Sequence, residues 1–473
     1  MSSYKYLIIG GGAAGVSTAE TIRRVDPTGT MAIVSNEPYL MYSRVMLSKP
    51  AFFLGKIPFN EIYMKGKEWY DQNHIDFLGG KKATKCDSTS KTLTLTDGSQ
   101  ITYEKLLIAT GVDARKWSAP GSENKANIHS LRTLEDGIAI MEEIKTAKHG
   151  ITIGGGFISF EMADLLNLAK IETTLILRES YFWEPILDEA SGLMIEKALT
   201  SAGIKIIKNA EVVMVNGGIV NGSTNNPGPE LESDRKENSP AIVSNNDSNT
   251  QSPEPITTPG FDSLKPVNTT NQIQGPITSV VVKQTKPDLK EIEIPCEMII
   301  AGIGVTNPTG WLADSGVKTN HGIVSNEFME TSAPDIYTAG DIAEYKDLLL
   351  EENVQMGNWV NAREQGRVAG LNMTGSHEAF KFVSFYTTQG CGVNIAFVGD
   401  VAPGPDRTVI TRGSPEINSY GRIIVVNNEI EGATLINRSA EMTTISKLIE
   451  KNMDVSKLHK ELGDPNFDLK KLI

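Results

Sequence analysis

The sequence predicts an α/β protein in which one strand–turn–helix unit occurs twice, followed by a smaller α+β domain. Three observations carry that prediction. Tyr4-Lys5-Tyr6-Leu7-Ile8-Ile9 runs into Gly10-Gly11-Gly12-Ala13-Ala14-Gly15 and then into a helical pattern through Ala19, Ile22 and Val25. The same grammar returns at Ile151-Thr152-Ile153, Gly154-Gly155-Gly156-Phe157-Ile158-Ser159 and a helix through Met162, Leu165 and Leu166. Beyond about Ser376, strand patterns at Val393 to Val398, Arg422 to Val426 and Ala433 to Ile436 precede an amphipathic helix through Met442, Ile445 and Ile449.

In each repeat the helix leads to a second strand, Met31 to Ser35 before Asn36-Glu37-Pro38, and Thr174 to Leu177 before Arg178-Glu179. That order is the opening of a Rossmann-type dinucleotide-binding unit. Gly10 permits the tight turn, Gly12 lets the backbone approach a pyrophosphate, and Gly15 lets helix meet strand. The helix N-terminus adds free amides and the positive end of its dipole. Ala13 and Ala14 complete the first turn; Gly154, Gly156, Phe157 and Ile158 form the second. In a chain with 43 glycines the glycine spacing alone is weak, and the flanking strand and helix give it weight. Glu37 lies about 20 residues beyond Gly15, where a carboxylate accepts both ribose hydroxyls, although a solvated turn acid is the other reading.

The second unit departs from the pattern. Ser159 stands where the third glycine is usual, and is expected to tighten helix-to-strand packing and to bring a hydroxyl near the dinucleotide. Arg178 and Glu179 stand together where a carboxylate favours NADH and an arginine favours NADPH, so coenzyme choice stays open with a lean to NADH.

A length of 473 residues suggests about three domains. The pattern divides into 1–115 with 300–375, 116–299, and 376–473. Residues 216–276 are rich in Asn, Ser, Thr, Pro and Gly and hold too little apolar surface to offset ordering, so a flexible insertion is expected there. It interrupts two strand-like runs, Val212 to Val215 and Thr278 to Val282, that would otherwise join as a hairpin.

With 40% hydrophobic and 22% charged residues, and no apolar run near the roughly 20 residues of a bilayer crossing, no membrane span is expected. The first residues leave no room for a signal-peptide core, which makes the cytoplasm the expected compartment. A net charge of -13 argues against nucleic-acid binding. Cys86, Cys296 and Cys391 form no CxxC pair, so no metal site, iron–sulfur cluster or vicinal redox disulfide is encoded locally.

Further segments join these: Tyr42-Ser43-Arg44 with Leu47-Ser48-Lys49, Leu107-Ile108-Ala109-Thr110-Gly111, Gly154 to Glu161, Gly302-Ile303-Gly304, and Tyr337-Thr338-Ala339-Gly340-Asp341. Together they resemble the FAD-dependent pyridine nucleotide-disulfide oxidoreductases, in the branch of rubredoxin and ferredoxin reductases, NADH oxidases and the flavin module of nitrite reductases. The resemblance implies FAD on the first unit, NAD(P)H on the second, and a C-terminal interface domain. It implies that Asp341, beside Gly340, binds the ribityl or pyrophosphate part of FAD. The helix after Trp359 would aim its N-terminus at the pyrimidine end of the flavin, and the Ala83 backbone would meet adenine. Arg44 would hold an FAD phosphate or be solvated. Lys49 and Glu161 would meet as an ion pair beside flavin N5, where hydride arrives.

One departure from the resemblance bears on mechanism. Disulfide reductases and sulfenate-using oxidases carry a reactive cysteine between the positions of Glu37 and Leu54, and this chain has none there. The expected activity is therefore a thiol-free NAD(P)H:acceptor oxidoreductase. Its partner would be a rubredoxin, a ferredoxin or iron–sulfur subunits. The alternative is a flavin-bearing subunit of a larger anaerobic complex, such as a phenylglyoxylate or other 2-oxoacid dehydrogenase, with little activity alone.

Overall fold

The computed structural model describes residues 2–123, 125–217 and 275–473. The insertion expected at 216–276 lies outside the described residues except at its two ends. Asn216 and Gly217 belong to the strand Ala210–Gly217, which pairs antiparallel with Ile277–Gln284, so the two strand-like runs do form a hairpin ladder.

The first sheet has seven strands. Ile75–Leu78, Met31–Val34, Ser2–Ile9 and Gln100–Ile108 lie side by side and parallel, and Ile336–Thr338 pairs parallel with Gln100–Ile108. Thr92–Leu95 and Ala83–Asp87 extend it antiparallel. Leu7, Ile8 and Met31 to Val34 are fully buried, as parallel strands covered on both faces require. The second sheet repeats the scheme with five parallel strands, in the order Lys205–Ile207, Glu172–Ile176, His149–Ile153, Met298–Ala301, Ile128–His129. Since Met298–Ala301 is one of its strands, residues 300 and 301 still run inside the second sheet. The chain crosses back just afterwards, where Val305 and Thr306 pair with Ala114 and Asp113.

The helix Trp359–Met373 locks the first unit by lying on the helix Ala13–Val25. Their backbones touch: a Cβ on Gly366 would stand 2.2 Å from the Ala14 carbonyl oxygen, and the Thr18 hydroxyl donates to the Gly366 carbonyl at 2.7 Å. No larger residue fits at 366.

The C-terminal domain is an antiparallel five-stranded sheet with the helix Met442–Glu450 against it. Two of its strands, Phe385–Gly390 and Thr408–Ser414, carry no strong apolar alternation and were not among the strands the sequence predicts. The domain is less separate than expected. Val393, Ile395, Phe397, Tyr420 and Ile436 share one hydrophobic core with Phe160, Leu175, Leu177 and Phe182 of the second unit.

Candidate active site

The two glycine turns show which positions serve packing and which face a ligand. A Cβ on Gly10, whose φ is +114°, would lie 2.0 Å from the Ala109 carbonyl oxygen, whereas a Cβ on Gly12 would meet nothing within 4 Å. In the second unit a Cβ on Gly154 would lie 2.5 Å from the Gly302 carbonyl oxygen, and Gly156 is open. Ala109 and Gly302 are thus equivalent: each follows a central strand and crowds the first glycine of its turn. Neither following helix, Ala13–Val25 or Phe157–Leu168, has a side-chain cap or an acid in its first turn. An uncapped helix end beside an open glycine is the geometry that receives a pyrophosphate. The chain's residues therefore fit a dinucleotide on each unit.

Ser159 corrects one expectation. It is fully buried, and its hydroxyl donates to the Ile153 carbonyl at 2.8 Å, so it points into the strand and not toward a dinucleotide. Its Oγ would stand 2.6 Å from a Cβ on Gly302, so the packing side of the expectation fits.

At the end of the first unit, Glu37 accepts from Tyr42 Oη at 2.6 Å and from Arg44 Nη2 at 2.5 Å. Burial pushes the Tyr42 phenol far above its usual range, which keeps it a neutral donor. Arg44 also donates to the Arg132 carbonyl, and Arg132 Nη2 reaches Asp341 Oδ2 at 3.2 Å. Arg132 has no part in the sequence expectations; the Thr133–Asp136 capping box that fixes its helix start was the available signal. A Cβ on Gly111 would sit 2.8 Å from the Arg132 guanidinium, so Ala109, Thr110 and Gly111 bring their strand end to this cluster. Asp341 packs against Gly357, just before Trp359 opens its helix, and the Gln355 amide donates to the Asp341 carbonyl at 2.7 Å. Gly340, with φ +83°, donates its N–H to buried Gln365 at 2.7 Å. Two carboxylates, two guanidiniums and a helix start converge here beside the Gly12 turn. Ala83 sits at the start of an outer strand, two residues past Lys81, whose N–H bonds the Ser35 carbonyl. Asn36 is exposed.

In the second unit Arg178 is 84% exposed, and Glu179 is 24% exposed with one buried oxygen, Oε2, that has no partner among the described residues. That oxygen lies 3.6 Å from where a Cβ on Gly155 would be. Phe157 packs edge-on against Trp183 and against Tyr386 of the C-terminal domain, each at 4.4 Å. Ile158 lies against Gly302, and Gly304 accepts from the Arg115 N–H at 3.0 Å at the crossing between units.

Between the units stands an ion pair. Lys49 ends the short 3-10 segment Arg44–Ser48, and its Nζ lies 2.5 Å from Oε1 of Glu161, which the helix Phe157–Leu168 carries one turn past the open glycine. Glu161 is 5% exposed and Lys49 26%. A carboxylate so enclosed needs a partner of opposite charge, which the lysine supplies. The Thr388 hydroxyl donates to the same oxygen at 2.6 Å.

No cysteine approaches this pair as a reactive group. Burial pushes the Cys86 thiol up, and pushes Cys296 and Cys391 up to about 12. Among the described residues no group of three or more His, Cys, Asp or Glu side chains is arranged to hold a metal ion, and no helix is long and apolar enough to cross a membrane.

Residues 4–235 and 265–366 match the family described as pyridine nucleotide-disulphide oxidoreductase, and 384–473 match a reductase C-terminal family. The chain belongs to the pyridine nucleotide-disulphide oxidoreductases. It is an FAD-dependent NAD(P)H oxidoreductase without the redox cysteine. It is 25% identical to the NADH-rubredoxin oxidoreductase of Clostridium acetobutylicum, over 95% of each chain. It is 24% identical to a putidaredoxin reductase of Pseudomonas putida, over 99% of this chain and 96% of that one. Among solved structures, the covalent putidaredoxin reductase–putidaredoxin complex matches with a TM-score of 0.81 and 22% identity, covering 100% of this chain and 98% of that one. This structural likeness shows the common fold.

Proposed function

We propose that the protein is an NADH-dependent, thiol-free reductase that passes electrons through FAD to a small redox protein of the rubredoxin or ferredoxin class. The Lys49–Glu161 pair carries this reading: it is a part-buried charge pair between the two units, and none of the three cysteines belongs to it. Bound FAD supplies hydride acceptance from the nicotinamide and onward electron transfer. The protein's own residues bind and orient. The amides at Gly12 and Gly156 face the two pyrophosphates, and Arg44 and Arg132 neutralise phosphate on the first unit. Asp341 would bind the ribityl or pyrophosphate part of FAD, and the helix beginning at Trp359 would lend its positive end to the pyrimidine ring. Lys49, paired with Glu161, would hold its ammonium beside the flavin.

The partnerless Glu179 oxygen beside Gly155 supports NADH over NADPH, with Arg178 84% exposed and its guanidinium 3.6 Å from the other Glu179 oxygen. A ribose 2′-hydroxyl donates to such an oxygen, and a 2′-phosphate is repelled by it. The relatives are named for rubredoxin and putidaredoxin, which supports a separate redox protein as acceptor. The alternative of a weakly active subunit in a larger anaerobic complex finds no support in them. Purified protein should be yellow, release its FAD on mild denaturation, and reduce a rubredoxin or ferredoxin with NADH. A folded protein that binds no FAD, or that reduces neither carrier, overturns the proposal.

A further inference from the structure

The Lys49–Glu161 pair is completed from the third domain. The hairpin of Phe385–Gly390 and Val393–Gly399 reaches back onto the helix Phe157–Leu168 and is held there at two points. At its tip, Asp164 Oδ1 accepts the Cys391 N–H at 3.1 Å and its thiol at 3.3 Å. One helical turn earlier, Glu161 Oε1 accepts the Thr388 hydroxyl at 2.6 Å. Between them a Cβ on Gly390 would lie 3.0 Å from the Phe160 ring, so the hairpin sits close, and its register on the helix is fixed. Thr388 is 2% exposed, and its strand neighbours Thr387 and Gln389 point the other way, as alternation along a strand requires.

We propose that Thr388 is a positioning residue for flavin reduction, acting through Glu161. The inference rests on the proposed placement of the Lys49–Glu161 pair beside the flavin. Two donors, an ammonium and a hydroxyl, share the single oxygen Oε1, and a hydroxyl-to-carboxylate bond is strong in a desolvated site. With both in place the carboxylate has one rotamer, and the ammonium that leans on it has one position. Without the hydroxyl, Oε1 is free to swing with the lysine alone, and the ammonium loses its fixed place relative to the ring. The step affected is hydride arrival; the dinucleotide-holding turn at Gly154–Gly156 is untouched.

The test uses the FAD-loaded full chain, with Thr388→Val removing the hydroxyl at constant shape and Thr388→Ser restoring it. Stopped-flow flavin reduction at saturating NADH should slow about fivefold in T388V with the KM for NADH unchanged, and return in T388S. In a Glu161→Ala background, which removes the acceptor, T388V should have no further effect on the rate. The thermal midpoints of T388V, E161A and the double variant should likewise be non-additive. If valine does not fold at this position, Thr388→Ala serves in the same cycle. Equal losses from T388V in both backgrounds, or a raised KM with an unchanged rate, would reduce Thr388 to an interface contact and overturn the inference. If instead Lys49→Met and E161A leave reduction unchanged, the placement of the pair itself fails. A slow E161A with an unaffected T388V rejects only the role of Thr388.

Discussion

Lys49 Nζ and Glu161 Oε1 meet at 2.5 Å across 112 residues of sequence, one side chain ending a short helical segment of the first unit and the other rising from the helix of the second. Glu161 is enclosed at 5% exposure, while Lys49 is 26% exposed. Lys49→Ala and Glu161→Ala should therefore each slow flavin reduction by roughly tenfold or more, because each leaves the other charge unpaired in a desolvated place. Single-turnover reduction by saturating NADH measures this, and rates equal to the parent's in both variants would dismiss the pair from the mechanism.

Replacing Cys86, Cys296 and Cys391 together by serine or alanine should leave NADH-to-flavin transfer standing. Cys86 packs against the Tyr103 hydroxyl at 3.5 Å in the core of the first unit, and Cys391 is tied to Asp164. Burial holds all three thiols protonated near neutral pH. A thiol-free protein that keeps FAD but is reduced more slowly by a factor of about ten would contradict this reading.

Coenzyme choice should respond to Glu179 and hardly to Arg178. Glu179→Ala is expected to raise the KM for NADH by roughly tenfold through loss of the ribose contact, while Arg178→Ala changes it little, its side chain being 84% exposed. Steady-state kinetics with NADH and NADPH on both variants decide the matter; a large effect of R178A on NADPH turnover would reverse the assignment.

His129 should make the fold sensitive to mild acid. Burial lowers its pKa from 6.5 to about 4, and its Nε2 has no partner among the described residues. Between those two values the unfolded chain binds the proton and the folded one does not, so stability falls as pH drops from about 6.5 toward 4. At pH 5 the loss amounts to about 2 kcal/mol. His129→Asn should flatten the fall in thermal midpoint between pH 7 and pH 5, and an unchanged slope would refute the attribution.

Arg412 anchors the end of the chain. Its side chain is 2% exposed, its Nε pairs with Glu441 at 2.9 Å, and its other nitrogens bond the carbonyls of Leu462, Asp464 and Phe467. Arg412→Met leaves Glu441 its partner Arg438 and the Asp464 carbonyl its Phe467 N–H, but orphans the carbonyls of Leu462 and Phe467, for a loss of about 3 kcal/mol in the C-terminal domain. Faster proteolysis after 460 with FAD retained is the expected result; unchanged protease resistance would show that the tail is held by other contacts.

The glycine turns were legible because their demands are local: a strand, a tight turn and a close approach leave few residue choices. The partnership of Lys49 and Glu161 was legible only through the family resemblance of the two motifs that carry them, since each alone reads as a surface charge. What stayed hidden depended on direction or on distance along the chain. Nothing in the sequence says that the Ser159 hydroxyl turns inward to Ile153, since one rotamer decides it. Thr388 sits in the strand Phe385–Gly390, where two aromatics are followed by Thr, Thr, Gln and Gly without apolar alternation, and its partner is 227 residues away. Arg132 was missed although the capping box beside it was readable, because its meaning depends on Asp341 arriving 209 residues later.

The hairpin that grips Glu161 and Asp164 also sets a rule for recombining this chain with its relatives. A crossover placed in the segment between 374 and 384 would bring in a foreign hairpin against this chain's helix, and the exchange would work only where the incoming strand offers a hydroxyl for Glu161 and a small residue at 390. A crossover that carries the helix Phe157–Leu168 and the hairpin from one parent keeps the contact whole. The inherited unit is thus the helix together with the hairpin, and Tyr420 and Ile436, which share its core, constrain the strands that follow.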